Sequence, residues 1–290
     1  MHRVLASLAI AVLSLACGAD HEPEGSGGAG GAVAPPTTFG GDRPVELFVP
    51  SSYDAATPAP LLILLHGYRA SGLAQEVLFR LEPIAEARGV LYAHPDGTVD
   101  SEGSKFWNAT ELCCDFDGTG VDDPSYLIGL VDAISAAYNV DPKRVFFAGH
   151  SNGHFMSYRM ACDHADRVAA IAGLAGGMFQ DPASCAAEEP VSVLHMHGTA
   201  DEAVPYDLAA EASAAAWAGF NGCEDVPVAA PNIDLESSIE GAETTVQIWN
   251  GCAPGTATEL WSIEGGKHIP NLGSDFGATL VDWLLAHPKP

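Results

Sequence analysis

The sequence predicts an α/β fold: a mostly parallel central sheet with helices on both faces. Two observations carry this. The runs "LLILLHG" (61–67), "VLYAHPDG" (90–97), "VFFAGHS" (145–151), "VAAIAGLAG" (168–176) and "VSVLHMHG" (191–198) are continuously apolar rather than alternating, as suits strands covered on both sides. Helix-like segments separate them, and parallel neighbours need such crossovers. Each run ends in polar or glycine residues at its carboxyl end, where open α/β sheets carry their sites.

Taken in order, residues 1–17 read as an export signal. Arg3 precedes an apolar run from Val4 to Ala16, too short to span a bilayer and ending in small residues. Cys17 follows "LSLA", which resembles a lipoprotein signal with that cysteine acylated; ordinary cleavage nearby is the alternative. Residues 18–40 are rich in Gly and Pro without hydrophobic period and read as a flexible tether. The catalytic domain is expected over 41–290. "PVELFVP" (44–50) has the period-two pattern of a half-buried outer strand. Residues 72–88 read as one helix with Leu73, Val77, Leu78, Leu81 and Ile84 on its buried face, stopping at Gly89. Residues 124–138 form another, with Asp123 as N-cap and Pro124 in the first turn. A third follows Ser151.

Charge excludes one class of function. With a formal charge of −26 and only 12 Lys and Arg, the chain lacks the basic surface that phosphate backbones require, so no nucleic-acid partner is expected. A neutral substrate is favoured over an acidic one. Setting Cys17 aside leaves Cys113, Cys114, Cys162, Cys185, Cys223 and Cys252; export makes their compartment oxidising, so they read as three disulfides. Cys223 and Cys252 follow matching "NGC" turns and are expected to pair. Cys113 and Cys114 would then pair separately with Cys162 and Cys185, in either order.

Gly149-His150-Ser151-Asn152-Gly153 fits G-x-S-x-G between a buried strand and a helix. There the glycines allow a turn tight enough to project the serine from the sheet edge. The N–H of Asn152, at the helix N-terminus, can donate to an oxyanion. A serine hydroxyl needs a histidine base oriented by a carboxylate, and the order Ser, acid, His, usual on α/β-hydrolases, selects Asp201 in "HMHGTADEAVPY" and His268 in "WSIEGGKHIPNL". His66, His94, His195 and His197 end or lie within strands and read as packing or hydrogen-bonding groups; His150 and His154 sit too near the serine to serve as its base. "LLHGYRASG" follows the first apolar run and supplies the second oxyanion donor, the N–H of Tyr68, with Gly67 as runner-up.

Together with "AHPDGT", "FWNATELCCDFDGTGVDD" and "NVDPKRVFFAGHSNGHFMSYRMAC", these segments resemble the exported polyhydroxybutyrate depolymerase and feruloyl esterase group of α/β-hydrolases over roughly residues 41–286. The resemblance implies Ser151 as nucleophile, Asp201 as acid, His268 as base, and Tyr68 and Asn152 as oxyanion donors. It also makes Trp107 a candidate lining of the acyl-side cleft, a buried structural tryptophan being the alternative, and His150 is a second candidate substrate contact. Members often carry a Trp-Pro-Gly segment just after the histidine, whereas Ile269, Pro270 and Asn271 follow here, so an aromatic wall is missing. Asp115, Asp117 and Asp123 fall at EF-hand-like positions, but Tyr126 stands where the bidentate Glu belongs, so no metal is expected. No cofactor fingerprint appears. The expectation is a monomeric, exported serine ester hydrolase acting on feruloyl- or acetyl-type carbohydrate esters or short hydroxyalkanoate esters. A polyester depolymerase is the alternative, ahead of an exported peptidase or a silent binding protein.

Overall fold

Apolar runs that alternate their side chains between two faces build the centre of the molecule. The structure, a computed structural model, describes residues 34–185 and 187–290; the expected signal and Cys17 lie outside them. The sheet strands are β1 (Ala59–Leu65), β2 (Leu91–Ala93), β3 (Val140–His150), β4 (Ala170–Leu174), β5 (Ser192–Gly198), β6 (Val228–Ile233), β7 (Thr244–Trp249) and β8 (Thr258–Ile263). Their order is β6-β7-β8-β5-β4-β3-β1-β2. All pairs from β8 to β2 are parallel, whereas β6, β7 and β8 run antiparallel to one another. Pro231 lies in edge strand β6 where the register shifts, a place that tolerates a missing N–H. This makes an α/β-hydrolase fold.

The helices are α1 (Gly72–Phe79), α2 (Glu82–Arg88), α3 (Asp123–Ala137), α4 (Asn152–Asp163), α5 (Tyr206–Phe220) and α6 (Phe276–Ala286). Strand alternation divides the core between them. Leu61, Ile63, Leu65, Val145, Phe147 and Ile171 point to the side of Leu127, Val131 and Ile134 of α3 and Phe155 and Met156 of α4. Leu62, Leu64, Phe146, Ala148 and Ala172 face Phe79, Ala85, Leu280 and Leu284 of α1, α2 and α6. Each such fully buried large side chain contributes about 1.5–3 kcal/mol of transfer free energy.

Four expectations change. The packed unit begins at Pro35, earlier than residue 41; Thr38–Phe39 pairs with Val45–Glu46, Phe39 is buried against Tyr138, and this pairing shortens the strand expected over 44–50. Residues 72–88 are two helices, because Arg80 adopts a left-handed φ of 55° and Pro83 begins a new helix rather than continuing the old one. Leu73 and Val77 are 66% and 70% exposed, while Gln75 and Phe79 point inward. Asp122, rather than Asp123, caps α3 by accepting from the N–H of Ser125 at 3.1 Å. Asp123 turns inward, where burial raises its pKa against the opposing influence of the Asn108 N–H and the Arg43 guanidinium, which lies 2.5 Å away.

Candidate active site

Ser151 sits at the hinge between β3 and α4. Its φ of 53° and ψ of −121° are a conformation that L-residues avoid, so the surrounding structure holds it. Gly149 and Gly153 explain how the turn fits: a Cβ at Gly149 would overlap the Gly153 backbone, and one at Gly153 would overlap the Leu65 carbonyl. The Ser151 N–H donates to the Leu174 carbonyl at 2.8 Å, fastening the turn to β4.

Two further strand ends meet this serine. Asp201 follows β5 and His268 follows β8, and the two loops are laced together. The N–H groups of Thr199 and Ala200 donate to the Ile263 and Gly266 carbonyls, both at 2.9 Å, and the Gly265 N–H donates to Thr199 Oγ1 at 2.9 Å. His268 Nε2 lies 3.0 Å from Ser151 Oγ, and His268 Nδ1 lies 2.8 Å from Asp201 Oδ2. With a carboxylate at Nδ1, that nitrogen carries the proton, leaving Nε2 bare to accept from the serine hydroxyl. Burial pushes the Asp201 carboxyl up, but the donors that face it, His197, His268 and the Val204 N–H, outweigh it and hold the group well below the usual carboxylate range. It is therefore ionised at neutral pH.

The loop after β1 passes against the serine: a Cβ at Gly67 would lie 3.4 Å from Ser151 Cβ. His66 is fully buried, accepts the Gly97 N–H on Nε2 at 2.9 Å, and so donates from Nδ1 to the Gly67 carbonyl at 2.8 Å. A trans peptide directs its N–H opposite to its carbonyl, so pinning the Gly67 oxygen aims the Tyr68 N–H the other way. Among the described residues nothing accepts from the N–H of Tyr68 or of Asn152. The Asn152 side chain is tied down, accepting the Trp107 N–H at 2.7 Å and donating to the Trp107 carbonyl at 2.9 Å.

These groups open onto a cavity of about 470 Å³ walled by Tyr68, Leu112, Cys113, Cys114, Phe116, Phe155, Val204 and Leu208. Trp107 is absent from this wall. It is fully buried behind Asn152, its ring against His66 and Tyr126, so its part in the site is played by its backbone. His150 is likewise 5% exposed and outside the lining. Its Nε2 donates to the His268 carbonyl at 2.8 Å, steadying the histidine loop, and burial pushes its pKa down to about 4.

The wall contains Phe155, Leu208 and Leu112, which sequence reasoning did not single out; Phe155, at the fourth helical position after Ser151, is the one that spacing could have flagged. The disulfides also differ from expectation. Cys223 pairs with Cys252, but Cys113 pairs with Cys114 and Cys162 with Cys185. Cys162 on α4 and Cys185 share a buried cluster, whereas the adjacent cysteines stand together at the cavity wall. The carboxylates of the EF-hand-like run diverge: Asp115 accepts from Thr119 and Gly120, Asp117 from Ser101, and Asp123 faces Arg43.

Residues 45–233 match the family model described as "Esterase PHB depolymerase". The chain belongs to this family. Feruloyl esterase B of Piromyces equi is 28% identical to this esterase-family chain over 81% of its length, and the bifunctional acetylxylan esterase/xylanase of Neocallimastix patriciarum is 26% identical over 86%. The chain spans 44% and 34% of those proteins' own lengths. Among solved structures, the acetyl xylan esterase from Aspergillus awamori superposes with a TM-score of 0.62 at 15% identity, covering 84% of this chain and 94% of that one; at that identity the likeness is one of fold.

Proposed function

We propose that the protein is a carboxylic ester hydrolase that works through an acyl-enzyme on Ser151. The observation that carries this is the hydrogen-bonded line Asp201, His268, Ser151, opening onto a cavity beside two backbone N–H groups that have no partner among the described residues. Ser151 Oγ attacks the ester carbonyl as His268 Nε2 takes its proton. The carbonyl oxygen becomes an oxyanion, accepting from the N–H groups of Tyr68 and Asn152. His268 then protonates the departing alcohol oxygen, and the C–O bond breaks. Water, deprotonated by the same nitrogen, attacks the acyl carbon; His268 then returns that proton to Ser151 Oγ as the acyl–Oγ bond breaks and the acid leaves. Asp201 stays ionised throughout and stabilises the imidazolium.

Feruloyl- or acetyl-type carbohydrate esters and short hydroxyalkanoate esters are the substrates we favour, on the names of the relatives and the apolar wall formed by Phe155, Leu208 and Leu112. A second reading, attack on a polyester surface, draws support from the exposure of Leu112, Phe116 and Leu208 at the mouth, 47%, 70% and 78%. Three disulfides among the described residues support an extracytoplasmic, oxidising location, with Cys17 as a lipid anchor where it is acylated. The enzyme acts as a monomer on neutral esters, without a nucleic-acid partner and without a cofactor. The test is turnover of p-nitrophenyl acetate, methyl ferulate and hydroxybutyrate oligomers by the wild type and by Ser151→Ala. The wild type hydrolyses at least one and the variant none; equal turnover by the two would refute the reading.

A further inference from the structure

We propose that His197 is a positioning residue for Asp201, and that Tyr158, His195 and His197 form a one-way hydrogen-bond chain ending on the Val204 carbonyl, with its last N–H set against that carboxylate. The inference rests on the serine hydrolase reading above and adds three side chains to it.

His195 and His197 are alternate residues of β5 and so project to one face of the sheet, towards α4, which supplies Tyr158. All three are fully buried. Tyr158 Oη lies 2.9 Å from His195 Nδ1, and His195 Nε2 lies 3.0 Å from His197 Nδ1. His197 Nε2 lies 2.9 Å from the Val204 carbonyl and 3.2 Å from Asp201 Oδ2. His154, though its ring is 4.7 Å from that of His195, has neither nitrogen hydrogen-bonded among the described residues and stands outside the chain.

The two ends fix its direction. A carbonyl and a carboxylate can only accept, so His197 Nε2 carries a proton. In the neutral ring Nδ1 is then bare and must accept, which puts a proton on His195 Nε2. By the same step His195 Nδ1 is bare and accepts the Tyr158 hydroxyl proton. The reverse order would leave that hydroxyl proton without an acceptor among the described residues and would place a second proton on buried His197. Burial first, and then the neighbouring His154 and His197 rings, push the His195 pKa well below the ordinary imidazole value and keep it neutral.

The consequence falls on Asp201. Its Oδ1 accepts the N–H groups of Ala203 and Val204 at 2.8 and 2.9 Å, and its Oδ2 accepts His268 Nδ1 on one side and lies against the His197 Nε2–H, itself held by the Val204 carbonyl, on the other. Three donors and the adjoining His197 ring fix the plane of the carboxylate, and that plane sets the orientation in which His268 presents Nε2 to Ser151. His197 touches neither substrate nor serine, so its loss acts through alignment, on kcat rather than KM.

The experiment measures kcat and KM on a soluble aryl ester for the wild type, His197→Phe, His197→Gln and Tyr158→Phe, each checked by thermal melting. Phenylalanine keeps the ring and loses the donor, whereas the glutamine amide places an N–H near the Nε2 position. Losing the N–H that holds the Val204 carbonyl and faces the ionised carboxylate should lower kcat of His197→Phe about 10- to 100-fold with KM within about twofold. His197→Gln should recover most of it, and Tyr158→Phe should lose about two- to fivefold. If His197→Phe does not fold, Tyr158→Phe and His197→Gln decide. Wild-type kcat in His197→Phe or in Tyr158→Phe, a fall in His197→Gln as deep as in the phenylalanine variant, or a loss confined to KM would each overturn the chain. A wild type that hydrolyses no ester would instead sink the serine reading itself.

Discussion

His66→Leu separates oxyanion geometry from the nucleophile. The leucine fills the site but can neither accept the Gly97 N–H nor donate to the Gly67 carbonyl, which the imidazole does at 2.9 and 2.8 Å. The Gly67–Tyr68 peptide is then free to rotate, and the Tyr68 N–H no longer points at the oxyanion. A full oxyanion donor is worth about 2.7–4 kcal/mol, or 10²–10³ in kcat. Partial loss of aim should therefore lower kcat roughly 30- to 300-fold while KM moves little. Stability should fall as well, since two buried backbone groups lose partners at about 1–3 kcal/mol each. His66→Asn, which can place an amide N–H near the Nδ1 position, should restore much of kcat and less of the stability. Steady-state kinetics and urea melts read the two effects separately. Unchanged kcat in a folded His66→Leu would show that the loop holds its peptide without the imidazole and that this argument is wrong.

Acid should destabilise the fold through its buried histidines. Burial depresses His150 to about 4, so below the unfolded value near 6.5 the unfolded chain binds more protons. About 3 kcal/mol is then lost as pH falls from about 6.5 towards 4. His66, His154 and His195 are depressed in the same direction. Urea melts between pH 7.5 and 5 should show stability rising with pH, less steeply in His150→Gln; a flat profile would contradict it. Arg43→Met strands the buried Asp123 carboxylate without its guanidinium and should cost about 3–5 kcal/mol, while Arg43→Met with Asp123→Asn should cost less; thermal melts decide. Leu208→Asp puts a charge on the apolar mouth and should raise KM for an aromatic or longer acyl ester about tenfold, with a smaller change for acetate. Equal KM changes for both esters would count against an acyl path along that wall.

The legible parts of the sequence are those where one physical demand dominates. Strands β1, β3, β4 and β5 are buried on both faces, so their apolar runs stand out, and tight turns at their carboxyl ends mark where Ser151 and Asp201 stand. Chain order alone then brought His268, more than a hundred residues from Ser151, within hydrogen-bonding distance. Amphipathic spacing misleads over 72–88, where Leu73 and Val77 mimic a buried face, but α1 buries Gln75 and Phe79 instead and ends at Arg80, and Pro83 lies in the first turn of a separate helix. Pairing of the cysteines depends on which loops meet, which local sequence does not encode; only Cys223 and Cys252, bracketed by matching turns, could be matched. Trp107 is a cleft candidate by resemblance to the family, yet its backbone serves Asn152 while its ring fills the core. His197 reads as packing in a strand, and its place against Asp201 needs the turn after β5 to fold back through Val204.

The most direct test of the serine chemistry is mass spectrometry after exposure to a small organophosphonate. We expect one phosphonyl group per chain, on the peptide carrying Ser151, absent from Ser151→Ala and formed much more slowly in His268→Ala. A label on another residue, or none on a folded, ester-hydrolysing protein, would contradict the account.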